Sequence, residues 1–207
     1  MIEITAEVLR ILNYAGVFVF ALSGGAVAIR HNMDLLGVMV IGLITAVGGG
    51  TLRDILLNLP VFWLADSTSL IPAALGGLCA FALGAPLPVK RVMLWADALG
   101  LAVFAVLGTV SALRVGSSPV IAIVMGTITA TAGGLLRDIV CNEPPILLKD
   151  EIYATAALLG AIVYVGCLQV PALQELAEVL GVLAAFSTRL LAIQWHITLP
   201  RARQSLD

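Results

Sequence analysis

Apolar residues fall in long continuous runs along this chain, and polar residues gather in short breaks between them. A helix crossing the hydrocarbon of a bilayer needs about 20 mostly apolar residues. Windows of that size occur at 9–29, 35–57, 69–88, 92–113, 119–140, 152–170 and 174–195. The last is the weakest, because Glu175, Glu178 and Arg189 interrupt it. Turn-rich links separate several of them: RHNMD at Arg30–Asp34, GAPLPVKR at Gly84–Arg91 and RVGSSP at Arg114–Pro119. The runs lack the period-two alternation of barrel strands, so no barrel fits. The pattern predicts an all-α polytopic membrane protein, one membrane domain over residues 1–207, with seven transmembrane helices.

The runs also repeat. Laying Gly50 on Gly134, an offset of 84 residues, matches Gly16 with Gly100, Phe20 with Phe104, Gly24 with Gly108 and Thr45 with Thr129, without a gap. TAVGGGTLRDIL at Thr45–Leu56 falls on TATAGGLLRDIV at Thr129–Val140. One repeat covers about 8–88 and the other about 92–171, leaving a seventh helix at about 174–195. Three spans per repeat is an odd number, so the second copy should enter from the opposite face. Inverted repeats of this kind place a binding or permeation site near the midplane, at broken helices. The second and fifth spans carry the glycine clusters and are the candidates.

Gly48, Gly49 and Gly50, with Gly133 and Gly134 in the other copy, cost about 1 kcal/mol each against alanine in a helix. They permit either a kink that frees backbone groups or close helix packing; recurrence favours kinks that shape a path. Arg53 and Asp54, like Arg137 and Asp138, are adjacent and about 100° apart on a helix, an arrangement that predicts no square pairing within each step. The arginines either snorkel to the interface or face a wet interior. In the second case their expected partners are Asn13 for Arg53 and Asp97 for Arg137, themselves aligned at the same offset. Ser23, Thr45, Thr109, Ser111, Thr127, Thr129 and Thr131 could add hydroxyls to a path, although such side chains also bond their own helix carbonyls.

Composition strengthens the membrane reading. Hydrophobic residues make up 60% of the chain and charged residues 12%, with a mean hydropathy of +1.07. The net charge of -2 points to no nucleic-acid partner. Glu3 and Glu7 stand where a cleavable signal peptide would carry basic residues, so the first apolar stretch is expected to be retained. Arg30, Lys90, Arg91, Lys149, Arg201 and Arg203 fall on the side of the carboxyl terminus, against Arg10 and Arg114 on the other. That bias predicts a cytoplasmic carboxyl terminus and an amino terminus outside. Cys79, Cys141 and Cys167 have no CxxC spacing and read as packing residues. His31 and His196 are far apart and form no metal motif, and neither lies inside a span. No metal site, organic cofactor or catalytic residue is expected, and the chain does not read as an enzyme.

A glycine cluster followed by Arg-Asp, doubled in a seven-span chain, resembles the trimeric intracellular cation (TRIC) channel family in its prokaryotic branch. The segments LSGGAVAIRHNMD, GLITAVGGGTLRDIL and TATAGGLLRDI carry the likeness, which extends over nearly the whole chain. The resemblance implies a homotrimer in the bacterial inner membrane, with membrane lipid between subunits. It further implies one pore per subunit for potassium, and also sodium, with helices two and five kinked at Gly48–Gly50 and Ala132–Gly134. Ala132 departs from a full second triplet. Animal members bind phosphoinositide through basic residues after the first glycine motif, where this chain offers little beyond Arg53. The alternative is a secondary transporter of a small solute such as glycine. Asp54, Asp97 and Asp138 are the carboxylates available to couple such a carrier, and each lies beside an arginine or a plausible arginine partner.

Overall fold

The computed structural model describes residues 6–84, 89–149 and 151–200. Arg201 and Arg203, used above to orient the chain, and Glu3, used in the signal-peptide reading, lie outside the described residues. The chain folds into helices α1 (Ala6–Arg30), α2 (Leu35–Leu56), α3 (Leu70–Leu83), α4 (Val89–Arg114), α5 (Pro119–Val140), α6 (Ala154–Leu168) and α7 (Ala177–Trp195). A short helix, Phe62–Ala65, and 3-10 turns at Ser67–Ser69, Ile146–Leu148 and Pro171–Leu176 fill the links.

Five segments are long and apolar enough to cross a membrane: α1, α2, α4, α5 and α7 with its leading turn. The third and sixth expected spans are shorter than their windows, with 14 residues in α3 and 15 in α6. At 1.5 Å per residue these reach only about 21–23 Å. The third ends at Gly84, where φ of 38° stops the helix before residue 88, and the sixth starts at Ala154 and ends at Leu168, two residues inside its window at each end.

Local devices recur at the 84-residue offset. Asp34 caps α2 by accepting from the Gly37 amide, and Ser118, its counterpart, caps α5 through Ile121 with Pro119 as first helical residue; both cap types satisfy an orphan N–H. Asn58 and Asn142 each take φ of 54° just past the ends of α2 and α5. There the Leu59 amide donates to the Asp54 carbonyl and the Glu143 amide to the Asp138 carbonyl, both at 2.8 Å. Asparagine tolerates this left-handed closing turn better than most residues do. Two chemically different sequences thus stop their central helices by one mechanism.

The halves also touch reciprocally. A Cβ on Gly49 would run into the Thr129 carbonyl oxygen, and one on Gly133 into that of Thr45. Gly16 faces the Phe104 ring, Gly100 faces the Phe20 ring, and the two rings stack with centroids 5.2 Å apart. Such exchange, i to j and j to i, is what an isologous contact between two copies produces. The glycine clusters therefore act here in close packing. Both α2 and α5 are assigned as α-helix throughout these clusters. The small residues let the two backbones approach closely.

This contact scheme explains Ala132. Its counterpart Gly48 faces only the tip of Leu136, a side chain that can move, whereas Gly49 and Gly133 face backbone. A methyl is tolerable at the first position of the cluster and not at the second. Around this axis α4 is the most buried helix, every residue from Leu101 to Val110 being inside. Symmetry ends at α7, which packs on α6 and α4.

Candidate functional site

Each Arg-Asp step folds into a closed unit. Arg53 Nε and Nη2 reach Asp54 Oδ1 at 2.8 and 2.7 Å, and Arg137 Nε reaches Asp138 Oδ1 at 2.9 Å. The sequence reading excluded square pairing between adjacent residues. The long arginine side chain folds back and covers the 100° separation, which a comparison of Cα–Cβ directions ignores. The second carboxylate oxygen is also used: Asp54 accepts from the Phe62 amide at 2.8 Å and Asp138 from the Ile146 amide at 2.9 Å. Each aspartate ties the end of its helix to the link that follows. Neither arginine snorkels, because Arg53 is 7% exposed and Arg137 0%.

Beyond these units the two ends differ. Arg137 Nη1 donates to Asp97 at 2.7 Å and to the Ser23 hydroxyl at 2.8 Å. Arg53 has no such partner: Asn13 lines the same cavity but makes no hydrogen bond to it among the described residues. An amide offers less to a guanidinium than a carboxylate does. The neighbours follow the same division. Where the first end has Ser69, the equivalent position at the second is Tyr153, 1% exposed, its hydroxyl filling the space beside Gly134. The Arg53 end therefore opens into a vestibule of about 280 Å³, lined by Asn13, Arg53, Ser69 and Ser111, with Arg10 and Arg114 at its rim. At the other end Arg137, Asp97 and Tyr153 are all buried.

Most hydroxyls expected along a path are spent on their own helices. Thr45, Thr109, Ser111, Thr127, Thr129 and Thr131 each donate to the carbonyl four residues earlier, at 2.6–3.0 Å. Ser23 differs: it faces Asp97 and the Met93 carbonyl while accepting from Arg137. Two participants escaped sequence reasoning. Tyr153 sits in a link, where only the aligned Ser69 could have signalled a difference between the ends. Arg189 read merely as a blemish in the seventh span. It is 1% exposed and bonds Glu151 at 2.7 Å and the Ile152 carbonyl at 3.1 Å, with its guanidinium 5.1 Å from the Tyr153 ring centroid. In that position α7 clamps the link that carries Tyr153.

Comparison with known proteins agrees with this architecture. A family model described as glycine transporter matches the chain twice, over residues 10–85 and 94–169, two segments related by the same 84-residue offset. The UPF0126 inner membrane protein YadS of Escherichia coli is 42% identical over 195 residues, covering 91% of this chain and 93% of its own. A UPF0126 membrane protein of Vibrio cholerae is 40% identical over 94% of this chain and 82% of its own. Among solved structures, the TRIC trimeric intracellular cation channel orthologue from Rhodobacter sphaeroides superposes with a TM-score of 0.87 at 42% identity, covering 92% of this chain and 99% of that one. A prokaryotic TRIC channel crystallised in 0.5 M KCl gives 0.85 at 32% identity, with 93% and 99% covered. An all-helical, multi-pass bacterial membrane protein, this chain belongs to the prokaryotic branch of the TRIC channel family.

Proposed function

We propose that the protein is a passive channel for monovalent cations, permeable to potassium and also to sodium, with one pathway in each subunit of a homotrimer. Seven membrane crossings form two oppositely inserted three-helix repeats plus α7, with the amino terminus outside and the carboxyl terminus cytoplasmic. Membrane lipid fills the grooves between subunits, and no catalytic step or organic cofactor belongs to this reading. The observation that carries it is the match along nearly the full chain to TRIC cation channel structures, at a TM-score of 0.87. The site supports it. A path entering the vestibule runs between α1, α2 and α4 and ends at the Arg137–Asp97–Ser23 cluster, which acts as the closed constriction. The Tyr153 hydroxyl, Arg137 Nη2 and Asp97 Oδ1 gather there beside Gly134.

A second reading, a carrier for a small solute such as glycine, draws on the description of the matching family model and on the vestibule at the Arg53 end. Purified protein in planar bilayers with a potassium gradient separates the two. Stepwise currents reversing toward the potassium equilibrium potential support the channel; saturable glycine uptake without resolvable current supports the carrier. Tyr153→Ser gives the Arg137 end the residue of the Arg53 end and is expected to raise open probability. Unchanged gating in folded Tyr153→Ser protein would remove the constriction from this end.

A further inference from the structure

The vestibule carries a charge pattern that cation passage alone does not require. Arg10, Arg53 and Arg114 contribute three guanidinium groups to its lining. Asp54 pairs with Arg53, Asp66 faces Arg10, and Glu178 lies close to Arg114 from α7. Asp66 Oδ1 also accepts from the Thr68 amide at 3.0 Å and from the Thr68 hydroxyl at 2.6 Å. Arg53 is more than nine-tenths buried, and Asp54 holds its Nε and Nη2, so Nη1 is its unengaged donor in the cavity wall. The Asn13 amide and the Ser69 hydroxyl, also in the lining, make no hydrogen bond among the described residues.

We infer that this vestibule is a binding site for one small monoanion, a carboxylate or a halide, held by Arg53 Nη1 with Asn13 and Ser69. The volume of about 280 Å³ accommodates such an ion with part of its water, at roughly 30 Å³ per water molecule. A buried guanidinium donor left unengaged gives such an ion a charge-assisted bond. The opposite end cannot bind in this way, because Asp97 occupies the equivalent place as a built-in anion. The asymmetry between Asn13 and Asp97 thus becomes a division between an exchangeable and a fixed counter-charge.

The test uses the full chain purified in neutral detergent at low ionic strength, with sodium chloride and sodium acetate as probes. Chloride-35 resonance broadening on adding protein, reversed by acetate, together with a saturable rise in unfolding temperature for either salt, is the expected result. Arg53 also holds Asp54, so the decisive variant is Arg10→Gln/Arg114→Gln, which changes exposed rim residues. Its apparent affinity should fall about fivefold, the scale of two solvent-screened unit charges. Absence of broadening, or identical non-saturating salt effects in both proteins, would overturn the site. These are equilibrium readouts, so their failure leaves the conduction measurements standing, and absent currents leave the site standing.

Discussion

Gly49→Ala and Gly133→Ala are each expected to lower the unfolding midpoint of detergent-purified protein by several degrees, a loss of about 3 kcal/mol. Intrinsic helix propensity points the other way, since alanine is favoured over glycine by about 1 kcal/mol. The clash decides the sign. At both positions the new methyl meets a backbone carbonyl of the opposing central helix, of Thr129 or of Thr45, which cannot rotate aside as a side chain does. Gly48→Ala and Gly50→Ala meet only Leu136 and the Phe62 ring and should cost less. Gly166 is the control: nothing lies within 4 Å of a Cβ there, so Gly166→Ala should be neutral or slightly stabilising. Equal losses at Gly49 and Gly166 in thermal melts would mean that the crossing of α2 and α5 is not the tight point.

The second large effect belongs to Asp97. Its removal as Asp97→Ala leaves Arg137, 0% exposed, short of one of its two carboxylate partners in the interior. Breaking one side of a buried ion pair costs about 3–5 kcal/mol. Asn13→Ala, the matching change at the open end, removes a half-buried side chain with no hydrogen bond and should stay within about 0.5 kcal/mol. The conservative Asp97→Asn keeps the shape while weakening the charge-assisted bond. It should fold and show more frequent openings than Asn13→Ala in bilayer recordings. Similar stability and similar gating for the two would dissolve the distinction between the ends.

The duplication was legible because paired glycines, aromatics and Arg-Asp steps coincide at one spacing with no gap, and the structure repeats the caps and closing turns at that spacing. The role of the glycines was only half legible. Composition says that backbone is exposed at these points, and either a kink or a neighbouring helix can use it; the choice depends on what lies opposite. Charge in an apolar run correctly drew attention to Asp97 as a partner for Arg137, since an arginine at depth needs a counter-charge. Pairing inside each Arg-Asp step was not legible, because helical angles describe where side chains start and not how far a guanidinium can return. Tyr153 and Arg189 were hidden for a different reason: their contacts join a link to α7, the one helix outside the repeat.

The most direct measurement asks whether ions pass the vestibule. Cys79, Cys141 and Cys167 are free thiols; with all three replaced by alanine, Ser111→Cys places a single thiol in the cavity wall. A membrane-impermeant, positively charged methanethiosulfonate reagent applied from one side of a planar bilayer should abolish potassium currents, and only from the side on which the vestibule opens. Complete labelling of Cys at position 111, verified by mass, with currents unchanged would show that permeation takes another route.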